Sequence, residues 1–145
     1  MLSDPQKGLD LCTTAREAAE ELRYEEGIAE SCLNQGWCNI YLGRYDIGLT
    51  VLQHALDLYT ETEDLEGCMK SMNAIGVIYH SISKYESALE YYTKSLALAE
   101  ASKNEERELT ALNNLGEFYQ ELGDYEEALG YFEKSRKIAE RTWDR

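Results

Sequence analysis

Apolar residues return every three or four positions along nearly the whole chain, with polar and charged residues between them. Leu112, Leu115, Tyr119 and Leu122 form one such stripe, and Tyr125, Ala128, Leu129 and Phe132 form the next. This spacing places each set on one face of an α-helix, and no stretch alternates with the period of two that a strand requires. The two stripes are parted by Gly123-Asp124, and matching breaks stand at Gly43-Arg44 and Ser83-Lys84, each followed by a tyrosine. Glycine at such a break supports a left-handed helix end and a tight reversal. The pattern predicts an all-α chain of seven helices, over residues 4–22, 25–42, 45–61, 65–82, 85–102, 105–122 and 125–142.

The stripes are copies of one another. Gly36, Gly76 and Gly116 are 40 residues apart, as are Tyr45, Tyr85 and Tyr125. A fixed period of this length marks a supersecondary unit that is repeated and stacked, each copy burying an apolar face that it could not bury alone. The units run 29–68, 69–108 and 109–145, after a partial unit at 1–28 that supplies only a second helix, and together they make one elongated domain spanning 1–145. Gly36, Gly76 and Gly116 fall inside first helices, where glycine costs about 1 kcal/mol relative to alanine. A close approach of the partner helix, filled by Tyr or Phe from the second helix, is expected to offset that cost.

The last unit reads Leu112-x-x-Leu115-Gly116-x-x-Tyr119 and then Ala128-x-x-x-Phe132, and the middle one carries Met72, Ile75, Gly76 and Tyr79, then Ala88 and Tyr92. The first is looser, with Cys32, Gln35, Gly36 and Asn39, then Gly48 and Leu52, and the partial unit keeps Gly8 and Cys12. Over essentially its whole length the chain resembles the tetratricopeptide repeat family, whose pattern W-x-x-L-G-x-x-Y…A-x-x-x-F it follows with the Trp replaced. It departs from the family in its longer period and in lacking the closing proline, since Pro5 is its one proline. The extra residues lengthen the helices. The resemblance implies antiparallel helix pairs stacked as a right-handed superhelix of about three and a half repeats.

Composition narrows the function. Acidic residues number 28 against 14 basic ones, a formal charge of −14 with a pI near 4.5. Nucleic-acid affinity rests on Lys and Arg neutralising phosphates, so no nucleic acid is expected as a partner. The same field disfavours anionic membranes and acidic peptides. It serves either plain solubility or a basic partner. Cys12, Cys32, Cys38 and Cys68 form no C-x-x-C pair and read as small core residues, which fits a reducing compartment. Nothing at the start resembles a secretory signal or a membrane span, so the cytoplasm is expected. The chain opens at a second helix without its first, which suggests a piece of a longer protein, and a signal could lie upstream.

No catalytic constellation stands out. The sequence has no P-loop, no dinucleotide turn and no Ser-His-Asp order, and the helix glycines are accounted for by the repeat. Runs such as Glu17, Glu20, Glu21 and Glu25-Glu26 read as solvated faces, and His54 as a solvated or packed side chain. The expectation is therefore no enzyme, no cofactor and no metal.

In the tetratricopeptide family the first helices of successive units line a concave wall on which peptides or partner helices bind. The resemblance carries that wall onto Glu30, Leu33, Asn34, Trp37, Ile40 and Tyr41, then Lys70, Asn73, Ala74, Val77, His80 and Ser81, then Thr110, Asn113, Asn114, Glu117, Gln120 and Glu121. The candidate partner-binding residues are Leu33, Asn34, Trp37, Tyr41, Lys70, Asn73, Val77, His80, Asn113, Asn114 and Glu117. Trp37 lies outside the core register, where it serves either as an interface anchor or as packing for a neighbouring helix. Asn34 and Asn114 stand where related repeats use asparagine to hold a peptide backbone, or they solvate locally; Ala74 breaks the series. Family members that clamp acidic chaperone tails use cations on this wall. The matching places here hold Leu33, Trp37, Asn114 and Glu117, and only Lys70 remains, so no such tail is expected to bind.

The function read from these residues is a non-catalytic module that binds a protein or peptide, basic or apolar, on its concave face, as the regulatory or sensory part of a larger signalling protein. The alternative is a structural spacer or self-association module, paired end to end as a homodimer. Its support is the apolar surface expected to open at the ends: Leu9, Leu11, Cys12 and Ala15 on the first helix, and Phe132 and Ile138 on the last.

Overall fold

A left-handed residue recurs every 20 positions: Gly43, Glu63, Ser83, Lys103 and Gly123 have φ of 72, 57, 62, 56 and 83°. After each, the next backbone N–H closes on the carbonyl five residues back. These bonds are Arg44 to Asn39, Asp64 to Tyr59, Lys84 to Tyr79, Asn104 to Ala99 and Asp124 to Tyr119, all 2.8–2.9 Å. This is the Schellman closure, which satisfies carbonyls that a helix end leaves orphaned. Five equivalent reversals in connections of two or three residues give the 40-residue repeat an inner rhythm of half its length.

The computed structural model describes residues 4–21 and 24–144. Between the reversals lie seven helices: α1 (Pro5–Glu21), α2 (Glu25–Tyr41), α3 (Tyr45–Glu61), α4 (Leu65–Ser81), α5 (Tyr85–Ser102), α6 (Glu105–Glu121) and α7 (Tyr125–Trp143). No strand occurs among the described residues. The helices keep within a residue or two of the expected bounds; residues 1–3 and the expected first-helix end at Leu22 lie outside the described residues. Asp64, Asn104 and Asp124 cap α4, α6 and α7 by accepting from the backbone N–H three residues on, at 2.9, 3.1 and 3.3 Å. Such caps are worth about 1 kcal/mol each.

Each helix packs on the next, and in addition α2 meets α4 and α4 meets α6; α3, α5 and α7 do not meet one another. The even-numbered helices therefore form one closed layer and the odd-numbered helices a splayed one. This curvature is that of a helical repeat superhelix, with α2, α4 and α6 on the inside. The core lies between the layers. Ala29, Cys32, Leu52, Ala55, Ile75 and Ile78 fill its first part, and Ala88, Tyr92, Leu115 and Phe118 its second.

Two of the three helix glycines have the expected aromatic partners. A Cβ on Gly76 would lie 2.7 Å from the Tyr92 ring, and one on Gly116 2.5 Å from Phe132. At Gly36 the partner is Leu52, an aliphatic side chain where the later units have an aromatic one. Cys32, Cys38 and Cys68 are buried and Cys12 half-buried, all as free thiols. Burial is the first cause that raises the Cys12, Cys32 and Cys38 thiols above their ordinary range. At the ends, the expected exposure holds only in part. Leu11 is 58% exposed and Phe132 is partly open over Gly116, but Ile138 is buried, because α7 turns that face onto α6.

Candidate functional site

The inner layer is built from two junctions that share a register but not a chemistry. Between α4 and α6, residues 41 apart meet at intervals of seven along the helices, two turns at a time. The Arg107 guanidinium comes within 4.0 Å of Glu66, the Asn114 amide donates to the Asn73 carbonyl oxygen, and His80 Nε2 lies 2.6 Å from Glu121 Oε2. Between α2 and α4 the corresponding positions hold Glu26 and Gly67, Leu33 and Ala74, and Ile40 and Ser81. The second junction is laced by polar bridges and the first lacks their counterparts.

His80 is held from several sides. Its Nδ1 faces the Tyr92 hydroxyl at 3.4 Å, and its ring stands edge-on to Phe118 at 5.4 Å and to Tyr85 at 6.2 Å. Tyr92 is almost fully buried, and its hydroxyl is pushed well up from its ordinary range by burial, with Glu117 and Glu121 adding to the shift. Asn73 is buried. Asn113 is exposed but accepts from Ser135 Oγ at 2.9 Å, which ties its amide to α7. Val77 is half-buried against the second core cluster, and Glu117 is exposed.

The α2 end of the layer is more open. Asn34 is exposed, Trp37 is half-buried against the first core cluster, and Tyr41 is 52% exposed with its ring centroid 6.3 Å from that of Trp37. Trp37 thus packs on one side and offers an edge on the other. Leu33 belongs to the core, at 7% exposed.

Where α2 and α4 begin, a hollow of about 340 Å³ opens between them, with Leu33, Asn34 and Lys70 in its lining. Around these stand Glu26, Glu30, Asp64 and Glu66, with Tyr24, Tyr59 and Gly67. Tyr24 donates to Glu26 at 3.2 Å, Asp64 caps Gly67, and Lys70 lies 3.9 Å from Glu66. Tyr59 reaches in from α3 over Gly67 and is 7% exposed. Burial, then the Asp64 and Glu30 carboxylates, push its hydroxyl up to about 12, so it stays protonated.

The structure thus gathers Leu33, Asn34 and Lys70 at one hollow, pairs Trp37 with Tyr41, and spends Asn73, Asn114 and His80 on bridges. Sequence reasoning missed Tyr59, because it lies on a second helix. The available signal was a size exchange: Tyr59 faces Gly67 in one unit, and Ala99 and Arg107 occupy the same places in the next. Among the described residues no group of three or more His, Cys, Asp or Glu side chains converges as a metal site, and no helix is long and apolar enough to cross a membrane.

Two family models, both for the tetratricopeptide repeat, match residues 36–101 and 109–142. No match is found among curated protein sequences. Similar solved structures include BtubC from P. vanneervenii, at 19% identity and a TM-score of 0.78, covering 97% of this chain and 59% of that one. The tetratricopeptide domain of Arabidopsis FLU matches at 21% identity and 0.73, over 81% of this chain and 98% of that one. A putative kinesin light chain with nearly identical repeats from Podosopora anserina matches at 17% identity and 0.76, over 97% and 69%. At these identities the likeness is one of fold, and this chain spans about three fifths of the length of BtubC.

Proposed function

The chain belongs to the tetratricopeptide repeat family, whose fold is that of protein-interaction and scaffold modules and is typically non-catalytic, and on that premise we propose that its inner layer binds a peptide or helix of a partner protein. The observation that carries this reading is the Trp37–Tyr41 pair, half-open on the inner side of α2 and next to the exposed Asn34. A large aromatic side chain left partly in water beside a free amide is the kind of group that anchors an interface. Val77, and Glu117 beyond it, continue the surface. Asn73, Asn114 and His80 frame it through their bridges. The module acts without catalysis of its own, as the regulatory or sensory part of a larger signalling protein in the cytoplasm.

Capture tests the reading. The immobilised chain is exposed to cell lysate beside an Asn34→Ala/Trp37→Ala/Tyr41→Ala variant, which leaves the bridging asparagines intact. A partner retained by the parent chain and lost by the variant is the expected result. Equal retention would move the site off this surface.

A second reading, self-association, has its own observation: Tyr125, Leu129 and Trp143 on α7 are 69, 59 and 89% exposed. Light scattering across a concentration series would give a rising mass if this face pairs, and a constant monomer mass if it does not.

A further inference from the structure

We propose that the hollow between the starts of α2 and α4 is a seat for an arginine side chain of the partner, an assignment that rests on the inner layer being the recognition surface. The protein supplies its own precedent one junction further on. There Arg107 projects from the first turn of α6, only 18% exposed, with its Nη2 2.9 Å from Glu106 and its Nε 4.0 Å from Glu66 on the neighbouring inner helix. In the α2/α4 junction the same two carboxylate positions are Glu66 and Glu26, and the position between them is Gly67. The acids are repeated and the guanidinium is not.

What surrounds the vacant place is matched to a cation. Four carboxylates, Glu26, Glu30, Asp64 and Glu66, face one ammonium, Lys70. Asp64 is engaged as a helix cap and Glu26 by Tyr24, whereas Glu30 makes no hydrogen bond or ion pair among the described residues. The Tyr59 hydroxyl is likewise without a hydrogen-bond partner there, although the side chain is more than nine-tenths buried and lines the hollow. The hydroxyl oxygen is not sealed from solvent, and it stands open to a donor that enters the hollow. A guanidinium N–H donated to this oxygen, with Glu30 accepting a second, would engage both. The carboxylates do not converge as a metal site. The rings of Tyr24 and Tyr59 and the Leu33 side chain suit the flat, weakly hydrated face of arginine better than the compact, strongly hydrated lysine ammonium.

The probe is a capped pentapeptide, acetyl-Gly-Gly-Arg-Gly-Gly-amide, with counterparts carrying citrulline or lysine at the centre. Each is titrated into isotope-labelled full chain and followed by backbone amide resonances. A single seated side chain is expected to bind with a Kd of the order of 1 mM. The expected result is saturating shifts at Glu30, Asn34, Gly67 and Lys70 with the arginine peptide and none with citrulline. Glu30→Gln, which breaks no contact in the chain, should weaken binding about tenfold. A Tyr59→Ala/Gly67→Arg double variant copies the Ala99–Arg107 arrangement; it should fold and abolish binding, because its own guanidinium fills the hollow. Absence of shifts, equal shifts from citrulline or lysine, or undiminished binding in Glu30→Gln would each overturn the assignment. Should the double variant fail to fold, Glu30→Gln decides alone. None of these failures would touch the broader reading, which stands or falls on partner retention by the Trp37 surface.

Discussion

Gly76 and Gly116 occupy the same place in successive units, yet alanine should be tolerated at one and not at the other. A Cβ on Gly76 would stand 2.7 Å from both Cδ1 and Cε1 of Tyr92. That ring is 2% exposed and edge-on to His80 at 6.2 Å and to Phe118 at 6.3 Å, so it cannot retreat without disturbing two further aromatic side chains. Overpacking of this kind costs about 3 kcal/mol. The better helix propensity of alanine returns about 1 kcal/mol. The net loss is then about 2 kcal/mol, or about 6 °C in Tm for a chain of this size.

At Gly116 the added Cβ would come still closer, 2.5 Å from Phe132 Cε1. Phe132 is only half-buried, on a helix that packs against α6 alone among the described helices, so its ring can swing outward. An overpacking cost of about 1 kcal/mol is then matched by the propensity gain, and Tm should move by no more than about 2 °C. Thermal unfolding followed by far-ultraviolet circular dichroism compares the two. Gly76→Ala/Tyr92→Leu should be less destabilised than the sum of its single changes by about 1 kcal/mol, since the two sites touch. Equal losses in Gly76→Ala and Gly116→Ala would refute the reasoning, because the approach distance would then decide the cost and the freedom of the facing ring would not.

Other parts of the structure give sharper single outcomes. Ser83 holds a φ of 62° with a side chain in place; Ser83→Gly should relieve this and raise stability by about 0.5–1 kcal/mol in denaturant titration. The buried Ser71 hydroxyl has no hydrogen-bond partner, so Ser71→Ala should leave stability unchanged or raise it by about 1 kcal/mol in the same assay. Tyr59 keeps its proton to about pH 12 in the folded chain against an ordinary value of 10.0. The unfolded chain gives up that proton first, so this contribution is intact below pH 10 and is lost as pH rises toward 12. Tyr59→Phe should flatten the alkaline decline. A double-mutant cycle on Asn73→Ala and Asn114→Ala should return a coupling of about 1 kcal/mol, while Asn34→Ala and Asn114→Ala should be additive.

The helices and their order were legible because periodicity reports burial directly, and the glycine and tyrosine marks fixed the repeat. All five breaks between these helices were legible, but the left-handed conformation was announced only where glycine stands, at Gly43 and Gly123. Glu63 and Lys103 take the same left-handed conformation with a side chain that announces nothing, and only the 20-residue rhythm of the structure exposes them. The inner wall was partly legible. Aligning the units at 40 residues set Asn73 beside Asn113 and Asn114 beside Ala74, but adjacent inner helices pack with an offset of one, so that residues 41 apart meet. Two asparagines read as independent ligands for a peptide are in fact ligands for each other. The hollow was hidden for a related reason: its walls come from three helices, and Tyr59 reaches it from α3, outside the inner layer.

The same offset explains why the two inner junctions differ in what they can do. Glu66–Arg107, Asn73–Asn114 and His80–Glu121 lie two helical turns apart along one seam; the last two spend polar groups that a partner would otherwise use, whereas Arg107 Nε stands 4.0 Å from Glu66 with no hydrogen bond of its own. Their counterparts in the α2/α4 seam are Glu26/Gly67, Leu33/Ala74 and Ile40/Ser81, which leave a carboxylate, an apolar floor and a serine hydroxyl that bonds back to the Val77 carbonyl at 2.8 Å. A partner approaching α4 and α6 must therefore displace the Asn73–Asn114 and His80–Glu121 bonds, whereas one approaching α2 and α4 also meets Glu30 and Asn34, which make no hydrogen bond or ion pair among the described residues. Breaking a satisfied polar bridge costs about as much as the replacement returns, while satisfying an orphaned one is a net gain. Binding free energy should accordingly concentrate at the α2 end of the layer, where Glu30, Asn34, Trp37 and Tyr41 stand open, and the α4/α6 junction should serve as the rigid frame that holds that end in shape.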